Sequence, residues 1–387
     1  MSSAAGAAQW TITPHVAWGA NYQDNPQLAL QDSQATGAAS LDARAILTRV
    51  AEATQFSAAP RISAVRYPED RQLDNYGRGL ALAYQYESER NTWSIAGDTA
   101  RDSTLATELE DTGFVQARKW RRSWNVNPVW SRAWSDTVSG QISAAYSDVA
   151  YEDAPLLADY SYRNINAGVN WESGERAQWG ASLTAARLDA PVYRNISDDY
   201  GVQVSFAFAW SDTQRLKISG GARSNDLQLA PPGRQRIHEQ ARGWTLDAAY
   251  DVELEFNTWH AQATRSVDPS GVGVLVQKDK LLFTLAHWFT EQVSGGLSLT
   301  LLQTEELQRE KFSARRRYAR TGMQVNWVWT PTWTLGAGYG YTQQQYEGDE
   351  VAQAHSVQFT LTWQGEPKNF GAPANRNLPS NDDGTEY

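Results

Sequence analysis

Hydrophobic and polar residues alternate strictly along several stretches of the chain. Residues 177–188 show the pattern, with Trp179 on the apolar side and Gln178 on the polar side, and residues 200–210 and 333–341 repeat it. A period of two is typical of a β-strand with one apolar and one polar face. We expect the apolar side to face lipid and the small and polar side to face an interior.

The same alternation predicts about eighteen strands along the chain. Each is long enough to cross a hydrocarbon core, which takes about 9–11 residues for a tilted strand. The predicted strands are residues 10–23, 38–52, 55–67, 75–87, 91–103, 113–134, 137–151, 159–172, 176–189, 199–211, 214–225, 242–253, 257–268, 279–290, 293–305, 317–329, 333–346 and 354–363.

The connections between these strands alternate between short turns and longer loops. Outer-membrane barrels have short periplasmic turns, longer extracellular loops and an even number of strands. The predicted fold is therefore all-β, a single transmembrane up-and-down antiparallel β-barrel over residues 10–363. Residues 1–9 are interpreted as a periplasmic N-terminal remnant. Residues 364–387, rich in Pro, Asn, Gly and Asp, are interpreted as a disordered periplasmic tail.

The aromatic residues support the barrel and give it a direction. Most of the 17 tryptophans flank short polar turns, as Trp171 and Trp179 do, whereas the far strand ends carry tyrosines such as Tyr200 and Tyr341. Indole and phenol rings favour the membrane–water boundary. Two aromatic girdles at opposite ends of amphipathic strands are thus predicted, which places the protein in the outer membrane.

Composition excludes several classes of protein. Among the 387 residues no long apolar run occurs, and the mean hydropathy of −0.57 excludes a helical membrane protein. The net charge of −10 and the lack of a basic stripe argue against nucleic acid as a partner. The absence of cysteine removes thiol catalysis, disulfides and Cys-ligated metals. The start of the chain has no signal-peptide pattern and resembles the end of a cleavage region, so we expect a near-mature chain.

Basic residues on the inward side of the strands predict the character of the lumen. They are Arg44, Arg61, Lys119, Arg121, Arg215, Lys217, Arg223, Lys280 and Arg320. Fewer acids share that face, the clear ones being Asp42, Asp98 and Asp247. Rings of Lys and Arg favour anionic permeants. The alternative is a structural charge network, in which Arg44 would pair with Asp42 or Asp98.

Two further groups of basic residues are predicted in extracellular loops. Arg234 and Arg236 fall in the largest loop, about residues 226–241, which could fold inward as a constriction. Arg315, Arg316 and Arg317 form a second group, interpreted as a solvated loop or a contact to anionic lipopolysaccharide. No segment is long enough for a folded plug, so we expect a water-filled lumen.

The sequence offers little for catalysis. Of the five histidines, His260 faces inward, but at the periplasmic end, and no Ser/His/Asp spacing recurs on adjacent strands. No cluster of metal ligands forms. We therefore expect neither an enzyme nor a bound cofactor or metal.

Three segments of the chain resemble porin-like Gram-negative outer-membrane barrels that are associated with exopolysaccharide biosynthesis and secretion. They are residues 66–70 (RYPED), 101–109 (RDSTLATEL) and 268–273 (DPSGVG). The resemblance implies an export channel for an exopolysaccharide, taken here as anionic, with periplasmic or inner-membrane secretion components as partners. A general or anion-preferring diffusion porin and a non-conducting envelope scaffold remain as alternatives.

Overall fold

The protein is described by a computed structural model that covers residues 9–104, 107–108, 119–229, 237–307 and 315–370. Within these residues the chain forms eighteen long strands and one short one. The strands are β1 Gln9–Gln23, β2 Thr36–Ala51, β3 Thr54–Arg66, β4 Asn75–Glu87, β5 Asn91–Ser103, β6 Trp120–Ala133, β7 Val138–Glu152, β8 Tyr160–Glu172, β9 Ala177–Ala190, β10 Asn195–Ser211, β11 Gln214–Leu229, β12 Ile237–Glu253, β13 Asn257–Pro269, β14 Leu275–Trp288, β15 Val293–Glu306, β16 Arg316–Thr330, β17 Trp333–Tyr346, β18 Ala352–Gln364 and β19 Lys368–Phe370. A single 3-10 turn, Pro191–Tyr193, connects β9 to β10.

The sheet closes on itself into a barrel. Each strand from β1 to β18 pairs antiparallel with its neighbours in the chain, and β1 also pairs with β18. At the closure Trp18 lies opposite Leu41 on one side and Leu361 on the other. No helical turn in the described ranges is long and apolar enough to cross a membrane. The predicted fold is confirmed.

The pairing registers put the apolar and polar residues of every strand on consistent faces. Outward aromatic rings meet across neighbouring strands near the short turns, where Trp93 stacks on Trp130 with 5.4 Å between ring centroids. At the opposite strand ends the outward Tyr76 and Tyr200 are more than half exposed. An outward apolar band between two aromatic girdles is the architecture of a Gram-negative outer-membrane barrel. By that architecture the short turns are periplasmic and the long loops extracellular.

Two predicted boundaries are wrong in ways that concern the lumen. β6 begins at Trp120 rather than at residue 113, so Lys119 lies in the preceding connection. β11 and β12 extend through much of the predicted loop at 226–241, because strands that rise above the membrane have water on both faces and lose their alternation. Arg234 and Arg236 lie outside the described residues.

The start of the predicted tail is part of the barrel. Lys368–Phe370 forms β19, which pairs with Trp10, Thr11 and Ile12 of β1 below the end of β18. The rings of Trp10 and Phe370 stack at 6.2 Å. The prediction of disorder is therefore wrong for these three residues, and residues 371–387 lie outside the description.

We expect Phe370→Ala to lower the stability of the refolded barrel by about 1 kcal/mol, the typical worth of a stacked aromatic pair. The measurement is the urea concentration at the midpoint of unfolding, followed by tryptophan fluorescence in detergent micelles. Lys368→Ala, in the same strand, is the control and should match the unchanged protein. Equal midpoints for both variants would show that β19 does not contribute to closure.

Candidate functional site

The lumen is the candidate site, and the loop between β13 and β14 shapes its extracellular half. Residues 270–274 reach across to the inward side of distant strands. The carbonyl of Gly271 accepts a hydrogen bond from the Ala158 amide at 2.8 Å. The carbonyl of Gly273 accepts one at 2.6 Å from the side chain of Asn195, which is fully buried. A hydrogen bond from a buried side-chain amide to a backbone carbonyl fixes the position of the loop.

Apolar packing holds the same loop against the wall. Leu275, at the start of β14, belongs to a buried cluster with residues from the extracellular ends of β7, β8, β9 and β13. The other buried members of the cluster are Val149, Tyr160, Leu188, Ala190 and Val267. In a water-filled lumen the inward side chains of Val149, Tyr160 and Leu188 would be solvated, so their burial shows that this side of the barrel is filled.

The connection between β5 and β6 meets this loop inside the barrel. Glu108, whose side chain is almost fully buried, accepts a hydrogen bond from the Tyr151 hydroxyl at 2.8 Å and lies 3.7 Å from Nε of Arg121. A Cβ added to Gly271 would come within 2.6 Å of the Glu108 carboxylate. Residues 107–108 and 270–274 therefore touch, and together they form what we call the bridge.

Charged and polar residues of β10, β11 and β13 support the bridge from below. Arg223 forms an ion pair with the buried Asp199 and donates a hydrogen bond to the Val267 carbonyl at 3.4 Å. Beside them Ser197 and Asn225 exchange hydrogen bonds at 2.8 and 3.1 Å. Arg223 faces inward as predicted, but its contacts make it part of the support rather than of an open path.

The first extracellular loop covers another part of the wall. Leu28 packs on the inward side chains of Leu302 and Tyr318. Beneath it Arg316 is only 1% exposed and donates to Gln344 Oε1 at 2.8 and 3.0 Å. The interpretation of Arg316 as a residue of a solvated loop is therefore wrong, since it begins β16 and points into the barrel.

The two neighbours of Arg316 have different surroundings. Arg315 precedes β16 and lies 3.2 Å from the Glu305 carboxylate. Arg317 belongs to β16 and occupies the outward face, opposite Gln303 and Gln345. The predicted basic group at the extracellular mouth is thus divided among three environments.

Below the bridge an open groove of about 770 Å³ runs along the inward face of β12 to β18. Its inward lining consists mostly of glycine, hydroxyl and amide side chains, such as Gly322, Ser298 and Gln324. Arg320 lines the groove as well, and His260 lies 2.6 Å from Asp251 near its periplasmic end. Hydroxyls and amides both donate and accept hydrogen bonds, so the groove suits polar solutes.

The predicted basic lumen is partly neutralised. Arg61 lies 2.6 Å from Asp42, and Asp98 accepts a hydrogen bond from Asn125, so neither acid is the partner of Arg44. The registers also place several acids inward that the prediction did not count. Among them are Asp102, Asp199, Asp251 and Asp268.

Several cations remain without an acid partner. In the part of the chain that the structure describes, Arg44, Arg215, Lys217 and Lys280 face inward and make no ion pair. Arg44 lies opposite His15 on β1 and Arg61 on β3, a local concentration of basic groups. Arg121 faces inward as predicted, beside Glu108.

Among the described residues no group of three His, Asp or Glu side chains has the arrangement to hold a metal ion. The bridge was missed because its apolar members look like ordinary strand and loop residues. Residues 107–108 and 270–273 of the bridge fall within two of the segments that carry the family resemblance, 101–109 and 268–273.

Solved outer-membrane barrels are similar to this chain in structure. OccAB4 of Acinetobacter baumannii is 10% identical, with a TM-score of 0.48, and the match covers 95% of this chain and 99% of that one. The alcaligin outer-membrane receptor FauA of Bordetella pertussis is 10% identical, with a TM-score of 0.45 and coverages of 90% and 76%. A bacterial polysaccharide outer-membrane secretin is 11% identical, with a TM-score of 0.37 and coverages of 91% and 98%.

No family model matches the sequence, and no curated protein is similar to it. The likeness to solved structures at these identities and TM-scores does not distinguish a channel from a receptor or a secretin. The choice between them depends on the lumen itself.

We expect Gly271→Ala to loosen the bridge, because the new methyl group would collide with Glu108 and the Tyr151 hydroxyl. The single-channel conductance in planar bilayers should rise or become noisier, and stability should fall by about 1–3 kcal/mol. Gly243→Ala is the matched control, since a Cβ there meets nothing within 4 Å. If both variants conduct like the unchanged protein, the bridge does not limit the path.

Proposed function

We propose that the protein is a diffusion channel of the outer membrane that favours small anionic, hydrogen-bonding solutes. The observation that carries the proposal is the set of inward cations without acid partners among the described residues, namely Arg44, Arg215, Lys217 and Lys280. Fixed positive charge along a narrow aqueous path lowers the energy of an anion and raises that of a cation.

The ion pairs of the lumen add little to this field, and inward acids such as Asp98 and Asp247, which bond to neutral side chains, oppose part of it. Arg61 with Asp42 and Arg223 with Asp199 each contribute little net charge, so they shape the wall without selecting an ion. Their role is structural. This is the role that the charge-network alternative gives to inward basic residues. The remaining cations lie on β2, β11 and β14, at separate points around the wall, and they offer an anion several weak contacts rather than one tight site.

Solute size is limited by the bridge and the first loop. Both occupy the extracellular half of the lumen, where inward residues such as Leu188 and Tyr318 are buried. A polymer in transit needs a continuous wide passage, whereas a small solute can pass beside the parts of the wall that the bridge and the first loop cover. This favours a diffusion channel over a polymer conduit.

Export of an anionic exopolysaccharide is the second candidate. The groove along β12 to β18 favours it, because hydroxyl and amide side chains over such a length would bind successive sugar hydroxyls weakly. Export would require the bridge to move aside, and it would need periplasmic or inner-membrane secretion components to supply the polymer.

We expect the combined variant Arg44→Ala/Arg215→Ala/Lys217→Ala to lose most of the anion preference of the channel. The reversal potential across a tenfold KCl gradient should move towards zero as the permeability ratio approaches about one. Arg132→Ala/Arg49→Ala, which removes outward charge near the periplasmic girdle, should leave the potential unchanged. A reversal potential that does not move in the lumen variant would overturn the proposal.

Exclusion of neutral polymers separates the two candidates. Polyethylene glycols of graded size reduce conductance only when they enter the pore from the side to which they are added. For a small-solute channel we expect only small polyethylene glycols to enter from the extracellular side. In Gly271→Ala larger ones should enter as well. Entry of chains several times larger than a disaccharide into the unchanged protein would instead support the polymer conduit.

A further inference from the structure

Three arginines lie in one row on the outward faces of neighbouring strands. Arg78 on β4 is opposite Arg101 on β5, which is opposite Arg122 on β6. Neighbouring strands are about 4.8 Å apart, so the three side chains start within about 10 Å of one another. Like charges directly opposite each other destabilise a sheet, and the row is therefore a place where an anion would stabilise the barrel.

The acids beside the row do not balance it. Glu152 on β7 lies 2.7 Å from Arg101 and 3.3 Å from Arg122. Asp148, also on β7, is opposite Trp124, one step towards the membrane centre. In the described ranges Arg78 makes no ion pair, so the excess positive charge is greatest at that end of the row.

The row lies at the outer edge of the apolar band. On β6 Arg122 and Trp130 of the periplasmic girdle are eight positions apart. At about 3.4 Å per residue and a tilt of about 40°, this spans roughly 21 Å, close to the height of about 25 Å for the lipid-facing band. Arg122 is also placed between two outward tryptophans, Trp120 and Trp124, at the depth of lipid headgroups.

A surface hollow of about 290 Å³ is lined by the side chains of the three arginines. Its remaining lining is Gly79, Leu80, Thr99 and Ala100, which are small or apolar. Arg101 is held in place because its guanidinium lies over the Trp120 ring, 4.4 Å from the centroid. Arg101 also donates to Glu152, so the hollow is bordered by one fixed arginine and by Arg78 and Arg122.

A second, apolar hollow of about 340 Å³ lies next to the first, towards the membrane centre. The two share Leu80 and Thr99. The second hollow continues past Gly97, between the exposed outward side chains of Ile95 and Trp124. An anion-binding hollow above an apolar one matches the shape and polarity of a lipid with a charged headgroup.

We propose that this pair of hollows binds a phosphorylated glycolipid of the outer leaflet, the lipid A part of lipopolysaccharide. The three arginines hold a phosphate group, and one acyl chain lies in the apolar hollow. Guanidinium groups bind phosphate through paired charge-assisted hydrogen bonds, which suits arginines that line one hollow. The site is on the outside of the barrel and is independent of the solute that passes through the lumen.

The test uses the full-length refolded protein in detergent micelles with purified diphosphoryl lipid A, and native mass spectrometry counts the bound lipid. Arg78→Gln/Arg122→Gln should bind about tenfold more weakly than the unchanged protein, because two charge-assisted contacts are lost. The control is Arg163→Gln/Arg187→Gln, two outward arginines at the same height on β8 and β9, which should bind normally. Equal binding by the row variant, or equal loss in the control, would overturn the proposal.

Two further ligands distinguish the binding of lipid from the binding of a free anion. Lipid A from which both phosphates have been removed should bind about as weakly as the intact lipid binds to the row variant. Binding at full strength would overturn the role of the arginines. Inorganic phosphate at equal concentration should not displace diphosphoryl lipid A, and displacement would show a site for free anions rather than for lipid.

A second variant addresses the apolar hollow without removing charge. Thr99→Trp places a large ring in the wall that the two hollows share, at an exposed outward position where lipid-facing residues vary easily. We expect a loss similar to that of the row variant, with normal folding shown by the heat-dependent shift on electrophoresis. Folded Thr99→Trp that binds lipid A like the unchanged protein would contradict the two-part site.

Discussion

The structure depends on one constraint, the need to satisfy every backbone hydrogen bond of a segment surrounded by lipid. A sheet meets it only by closing, and here the pairing of β1 with β18 removes the last free edge. Closure in turn fixes which side of each strand faces lipid and which faces the interior. The aromatic girdles, the small inward residues and the charge of the lumen all follow from that division.

Because one face of each strand is in lipid, the sequence carries a strong pattern inside the membrane. That is why the strand ends at Asn75, Glu87, Trp333 and Tyr346 were predictable to the residue, as were the inward positions of Arg44 and Arg320. Above the membrane both faces meet water and the pattern ends. The extensions of β11 and β12, and the start of β6, were therefore not predictable from alternation.

The contacts inside the barrel were also not predictable from the sequence. Glu108, Asn195 and Gly271 lie far apart in the sequence and come together only when the barrel closes. No local pattern signals such a meeting, and the acids that neutralise part of the lumen were missed for the same reason. After those ion pairs are removed, a smaller set of cations remains beside inward acids such as Asp98 and Asp247, and the proposed preference for anions rests on these cations.

The absence of cysteine allows the potential of the groove to be measured directly. Ser298→Cys introduces a single thiol on the wall of the groove, and its rate of reaction can be compared for thiosulfonate reagents of opposite charge. Once the rates are normalised to those with a free thiol, we predict faster modification by the anionic reagent, accompanied by a stepwise fall in conductance. Faster modification by the cationic reagent, or no reaction at all in the folded barrel, would contradict a basic, water-filled path.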